Sequence, residues 1–365
     1  MESLVTANVR QRPVRALVSA AGVALGVCLV MLFTGLARGM SNDLQRRSSN
    51  LRAEIIFTRP GGTELMSTTM NLPVQYADEL RKIEGVAQAV PTGRYVSQGG
   101  RGFGFEQIEG VDWGEYAGMN GMRLVEGAPP SAVDEVVVDE TKARNNNLRV
   151  GSTLSLFGNQ PYRVTGVYTP ESGPRVKMSL GAMQDALEST GKATWIYVKV
   201  RDGADPVEVA RRIDAELPGN KIQLTRDVIT NIERSIPYLG VFLRTLVVLS
   251  AVVSGLVVML AMYTTITERT REIGILKALG APRSFIVGEI VKEAMLISLF
   301  GVAAGFAVSF AAGYMIHRAY GLFFEYSWAW AVTAAVIGLL GGALGALYPA
   351  VRAAGLDPVS ALAYD

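Results

Sequence analysis

Four stretches without a charged residue divide the chain: Ala16–Ala37 (22 residues), Thr245–Thr267 (23), Ala294–Ile316 (23) and Tyr326–Val351 (26). A helix rises about 1.5 Å per residue, so about 20 residues cross a hydrocarbon core of roughly 30 Å. Each stretch is long enough. A buried core helix would explain one such run. Four, three of them crowded into the last third, predict four transmembrane helices. Between the first two the pattern changes character. "AEIIFTR", "VAQAVPTGRYVSQ", "FEQIEGVDW", "ATWIYVKVRDG" and "KIQLTR" read as strands, and "PVQYADELRKIEGV" and "DPVEVARRIDAELPG" as helices with a proline start and a glycine end. From Met122 to Thr169 the pattern is nearly all β. A strand–helix–strand unit therefore occurs early and again late. The predicted fold is a membrane protein of four transmembrane α-helices, with a large α/β domain between helices 1 and 2 that has a β-rich inserted subdomain at 112–175.

Charge orients the spans. Arg10, Arg12 and Arg15 precede the first, Arg269, Arg271, Lys277 and Arg283 fill the connection between the second and third, and Arg352 follows the fourth. Short basic flanks stay on the cytoplasmic side, so both termini are expected there and the α/β domain outside. Trp328 and Trp330 open the fourth span, as aromatic rings do at an interface. The first run exceeds the 7–15 residues of a signal h-region and reads as a retained anchor. A net charge of +2 without a basic run speaks against nucleic acid. One Cys, Cys28, and one His, His317, leave no material for an intrachain disulfide or a His/Cys metal cluster.

The usual catalytic motifs are missing. No G-x-x-x-x-G-K-[ST] occurs, since Gly191-Lys192 is followed by Ala193. There is no H-E-x-x-H, G-x-S-x-G or C-x-x-C. "GGRGFGF" (99–105) reads as a hairpin tip. Asp134, Glu135, Asp139 and Glu140 around one short strand read as a solvated face.

"TERTREIGILKALGAPRS" (267–284) packs dense charge between two apolar runs. Ile273, Leu276 and Leu279 recur at three-residue spacing, joined by Ile275, and charges occupy the rest. This predicts an amphipathic helix with its apolar stripe on the membrane or the spans. Gly280-Ala281-Pro282 ends it. A stiff helix joined to two spans is a lever, and its charged face suits docking of a cytoplasmic protein. Gly22 and Gly26, Gly301 and Gly305, and Gly338 and Gly342 are G-x-x-x-G pairs, which allow close helix packing in lipid.

"TERTREIGILKALGAPRSFIVGEIVKEAMLISLFGVAAGF" and "YPAVRAAGLDPVSALAYD" resemble the signatures of FtsX/MacB-like ABC transporter permeases. "NVRQRPVRALVSAAGVALGV" resembles their N-terminal interfacial helix and first span. "LVEGAPPSAVDEVVVDE", "LRVGSTLSLFG" and "YRVTGVY" resemble their β-rich subdomain. The resemblance covers nearly the whole chain. It implies an interfacial helix at 1–13, spans at 14–39, 236–267, 285–317 and 328–350, and a porter-like extracytoplasmic domain at 40–235. It also implies a coupling helix and turn at 268–284, an external loop at 318–327 and a cytoplasmic tail at 351–365. Glu268, Arg271, Glu272 and Lys277 would contact an ATPase, with Gly274, Ala278 and Gly280 allowing close approach.

The implied protein is a non-catalytic permease subunit in the bacterial inner membrane. It would form a homodimer with two copies of a separate ABC ATPase, seamed by spans 1 and 2. No cofactor is expected in this chain, because ATP and Mg²⁺ belong to the ATPase. The implied activity is export of a lipophilic or amphipathic substrate (antibiotic, haem, lipid or lipoprotein) by mechanotransmission. A periplasmic adaptor and an outer-membrane channel would accompany it in a Gram-negative host. The alternative is an FtsX-like machine that activates an extracytoplasmic cell-wall hydrolase without transport.

Overall fold

The computed structural model describes residues 13–60, 69–98, 105–227 and 237–355. The interfacial helix expected at 1–13 lies outside these apart from Pro13, as do the hairpin tip apart from Phe105 and the tail from 356 onward. Chain order is α1 (Pro13–Ser49), β1 (Ile55–Thr58), β2 (Leu72–Pro73), α2 (Tyr76–Lys82), β3 (Val86–Gln98), β4 (Phe105–Val111), α3 (Trp113–Asn120), β5 (Arg123–Gly127), β6 (Glu135–Asp139), α4 (Glu140–Asn145), β7 (Thr153–Leu156), β8 (Gln160–Thr169), β9 (Val176–Ser179), α5 (Leu180–Ala186), β10 (Lys192–Ala193), β11 (Trp195–Val200), α6 (Pro206–Glu216), β12 (Lys221–Leu224), α7 (Pro237–Glu268), α8 (Thr270–Ala278), α9 (Arg283–Tyr320) and α10 (Trp328–Ala354). Two compact units result, Ser41–Ser235 and Met1–Met40 with Ile236–Asp365.

The first of these, the α/β unit, is built on one ten-stranded sheet in the order β12-β1-β11-β3-β4-β9-β6-β8-β5, with β7 beside β8. Strands alternate sides, and the burial follows. Ile55, Phe57, Ile196 and Val198 pack with Leu80 of α2 and Ile213 of α6. Their neighbours Ile56, Trp195 and Tyr197 join Tyr116 and Met119 of α3. The inserted half packs Val136, Val138, Val164 and Met178 against Ala143 of α4 and Met183 of α5. It is hydrogen-bonded into the same sheet through the parallel pair β4/β9, Ile108↔Val176 to Val111↔Ser179.

Two helices interrupt the 112–175 region read as β-rich, and both start on an aspartate. Asp112 accepts from the Glu115 N–H and Gly121 ends α3 at φ +65°; Asp139 accepts from the Lys142 N–H and opens α4. Capping of free N–H groups overrode the alternation.

All four long apolar helices are long enough to cross a membrane. They run past the charge-free stretches: α1 has 37 residues and α9 has 38. Charged side chains are compatible with a helix outside the hydrocarbon, so the loss of hydropathy does not mark its end. The interior of this unit is Val23, Val27, Val30, Met31, Val258, Met262 and their neighbours.

Candidate partner-docking site

Helix α8 is set off from α7 by one residue, Arg269, whose Nε donates to Glu272 at 2.7 Å and whose Nη1 donates to the buried Glu293 at 3.3 Å. At the far end, Gly280 N–H bonds the Lys277 carbonyl and Ala281 N–H the Leu276 carbonyl, both at 3.0 Å. With Gly280 at φ +90°, this is a Schellman stop. Pro282 then opens α9.

The expected apolar stripe is split between two sides. Ile273 alone of its leucine–isoleucine set is buried, in a cluster with Ile266, Ile286, Ala353 and Ala354. Lys277 Nζ donates to the Ala354 carbonyl at 3.0 Å and ties α8 to the end of α10. Leu279 is 80% exposed and Ile275 45%, with Leu276 beside them. Ile273 is the member of this set that points between α7, α9 and α10. Glu268, Arg271, Glu272, Ala278 and Gly280 are also exposed. Gly274 is buried beside Ile273. The outward face is thus an apolar patch flanked by charge.

The glycine pairs pack helix against helix within the chain. A methyl at Gly22 would lie 2.5 Å from Val257, and one at Gly26 2.8 Å from Ser254 Oγ, both on α7. Gly301 and Gly305 bring α9 onto the Ala20 and Ala24 carbonyls of α1, each 2.7 Å from such a methyl. Gly338 faces Val302, and Gly342 faces Ser298. Gly345 admits the Gly255 carbonyl where α10 crosses α7. The glycine face of α1 is therefore filled by α7. Three further glycines escaped the sequence reading. Gly35, Gly39 and Gly313 receive Phe323, Phe324 and Tyr326 of the 321–327 loop, and the Glu325 N–H bonds the Gly35 carbonyl at 3.0 Å. Gly35 and Gly39 carry the same i, i+4 signal as the pairs that were singled out.

In the α/β unit two of the four carboxylates read as a solvated face are buried. Glu135 accepts from the Ser131 and Ala132 N–H groups and the Ser131 hydroxyl, which hold its carboxyl at about 2. Asp139 is fully buried and pairs with Arg175 at 2.6 Å; burial raises its carboxyl against the pull of Arg175. A row of charge that the sequence did not reveal crosses the sheet. Arg94 of β3, Glu109 of β4 and Lys177 of β9 are direct register partners. Lys177 Nζ lies 2.7 Å from Glu109 Oε2, both fully buried, and Arg94 Nη2 lies 3.4 Å from Oε1. Tyr116 donates to Glu109 at 2.9 Å. Burial alone would raise the Glu109 carboxyl, but Lys177, Arg94 and these hydrogen bonds hold it below the usual range. Among the described residues no group of His, Cys, Asp and Glu is arranged to hold a metal ion.

Residues 16–216 match the family model of the MacB-like periplasmic core domain, and residues 244–358 that of the FtsX-like permease C-terminal region. A macrolide export ATP-binding/permease protein MacB from Shewanella oneidensis is 27% identical over 94% of this chain and 57% of its own length. The protein of the same name from Salmonella paratyphi A is 32% identical over 69% of this chain and 42% of its own. The chain thus spans about half the length of these relatives. Among solved structures, the periplasmic region of MacB from Actinobacillus actinomycetemcomitans aligns with 52% of this chain and 98% of that chain, at 18% identity and a TM-score of 0.37.

Proposed function

We propose that this chain, which belongs to the FtsX/MacB-like family of ABC transporter permeases, couples ATP hydrolysis in a partner ATPase to export of a lipophilic or amphipathic substrate. The observation that supports this most is the outward face of α8. Ile275, Leu276 and Leu279 stand exposed beside Arg271 and Glu272, while Ile273 and Lys277 brace the helix from beneath. An exposed apolar patch with a charged rim fits a protein partner, and bracing makes the helix able to pass a push to α7 and α9.

In this reading α8 and both termini face the cytoplasm, on the strength of the basic flanks, and the α/β unit lies beyond the inner membrane. ATP and Mg²⁺ are bound by the partner, a separate chain, and this chain is non-catalytic. Two permeases assemble with two ATPases, and ATPase closure is transmitted to the α/β unit, which expels substrate there with an adaptor and outer channel in a Gram-negative host. The relatives are named for macrolide export, which supports an antibiotic-like amphiphile. Hydrolase activation has less support, because the relatives reported above are named as export proteins.

The native chain should co-purify with one ATPase copy per permease. Leu279→Asp should weaken that association about tenfold or more, since burying a leucine is worth about 1.5–3 kcal/mol. Glu272→Lys and Gly280→Leu should insert normally yet uncouple hydrolysis from export. If no ATPase is recovered, or if all three variants keep full coupled activity, the reading is wrong.

A further inference from the structure

The end of α1 grips the inserted half of the α/β unit before the chain enters the other half. Asp43 and Arg47, four residues apart, share one face of α1, and Asn50 follows directly after its end. All three meet the 171–175 segment. Arg175 Nη2 donates to Asp43 Oδ1 at 2.5 Å. Arg47 Nη1 donates to the Gly173 carbonyl at 2.9 Å and Asn50 Nδ2 to the Glu171 carbonyl at 2.6 Å. Arg47 is held in turn by Asp43, its Nε 3.1 Å from Oδ2. The other terminal nitrogen of Arg175, Nη1, donates to Asp139 Oδ2 at 2.6 Å and to Glu171 Oε2 at 3.3 Å. Asp139 closes β6 and caps α4, where the Lys142 N–H reaches it at 2.7 Å. One planar side chain therefore joins α1, the 171–175 segment, β6 and α4.

The covalent route is different. From α1 the chain runs directly into β1, whose partners are β11 and β12, all in the first half of the sheet. The inserted half is joined to that half by hydrogen bonds along the four-residue β4/β9 seam. Movement of α1 thus reaches the first half through the backbone. It reaches the inserted half directly through the Arg175, Arg47 and Asn50 contacts, and by way of the first half through the β4/β9 seam, the backbone after Val111, the Lys142–Glu106 pair and the Arg52–Asn120 hydrogen bond. We propose that Arg175, held by Asp43 and Arg47, is the positioning residue that makes the inserted half follow α1 during the ATP-driven cycle. This rests on the ATP-coupled reading above.

The test uses the full chain with its ATPase in lipid nanodiscs, read by hydrogen exchange with and without ATP. Asp43→Ala combined with Arg47→Ala removes one charge of each sign and leaves the Arg175–Asp139 pair intact. In the wild type, ATP should alter exchange in the β1, β3 and β11 peptides and in the β6, β8 and β9 peptides. In the double variant the first response should remain, and the second should fall about fivefold, within the range of measured coupling changes. A role in folding alone would move both together or neither. Should the double variant misfold, the milder Asp43→Asn should give a smaller loss confined to the same peptides. An undiminished response of the β6, β8 and β9 peptides in the folded variant overturns the inference. No ATP response in either half of the wild type overturns the ATP-coupled reading itself, and this inference with it.

Discussion

The interior of the α/β unit is made of large side chains, Phe57, Tyr116, Tyr168 and Met178 among them, and it encloses fully buried charges in Glu109, Asp139 and Lys177. The four apolar stretches of the helical unit contain no charge. Their contacts run through glycine, with Gly301, Gly305 and Gly345 seated on the carbonyls of neighbouring helices. Their buried polar side chains are hydroxyls such as Thr34 and Ser250, which donate to carbonyls of the helices themselves. The difference follows from the solvent. Water rewards burial of area, so bulk is an advantage there. Lipid is as apolar as leucine, so helices associate through closeness instead, and a side chain that holds backbones apart is a cost.

The sharpest way to break this contrast is to remove one buried charge. Lys177→Met should destabilise the α/β unit by about 3–5 kcal/mol, because it leaves Glu109 buried without its nearest partner. Adding Glu109→Gln should recover part of the loss. Denaturant titration of the full chain, read by hydrogen exchange of β4 and β9 peptides, measures both. Equal stability of Lys177→Met and wild type would mean that the charge row contributes little. Next in size is Gly345→Val, which forces a side chain onto the Gly255 carbonyl and should cost about 1–3 kcal/mol. Gly288→Ala is the matched control. Nothing stands within 4 Å of its added carbon, and helix propensity favours alanine by up to about 1 kcal/mol. If both variants melt alike in detergent, closeness is not what holds the helices.

The smallest effect concerns acid. The Glu135 carboxyl lies at about 2 in the folded chain against an ordinary 4.5. Its contribution is complete above pH about 4.5 and is lost as pH falls through about 2. Glu135→Gln should therefore flatten the acid side of the stability profile of the α/β unit and leave the helical unit's profile unchanged.

The membrane helices were legible in the sequence because crossing a bilayer requires only an unbroken apolar run, and four such runs are present. Their ends were not, because Asp43, Arg46 and Arg47 continue α1 without breaking it. Strand positions followed from alternation, but burial of charge did not. "FEQIEGV" alternates whether Glu109 faces water or Lys177, and that lysine is 68 residues away in the chain. At α8 the stop was written in Gly280 and Pro282. That Ile273 and not Leu276 or Leu279 faces inward was decided by α7, α9 and α10, and no local pattern encodes that choice.

The β4/β9 seam has an evolutionary consequence. The excursion that begins after Val111 returns at Val176 on the adjacent strand, so its two ends lie side by side. A cassette with neighbouring entry and exit can be lengthened, trimmed or transplanted between homologues without rethreading the strands that remain. Selection could therefore act on that excursion while the sheet that accepts it, with Lys177 opposite Glu109, stays fixed.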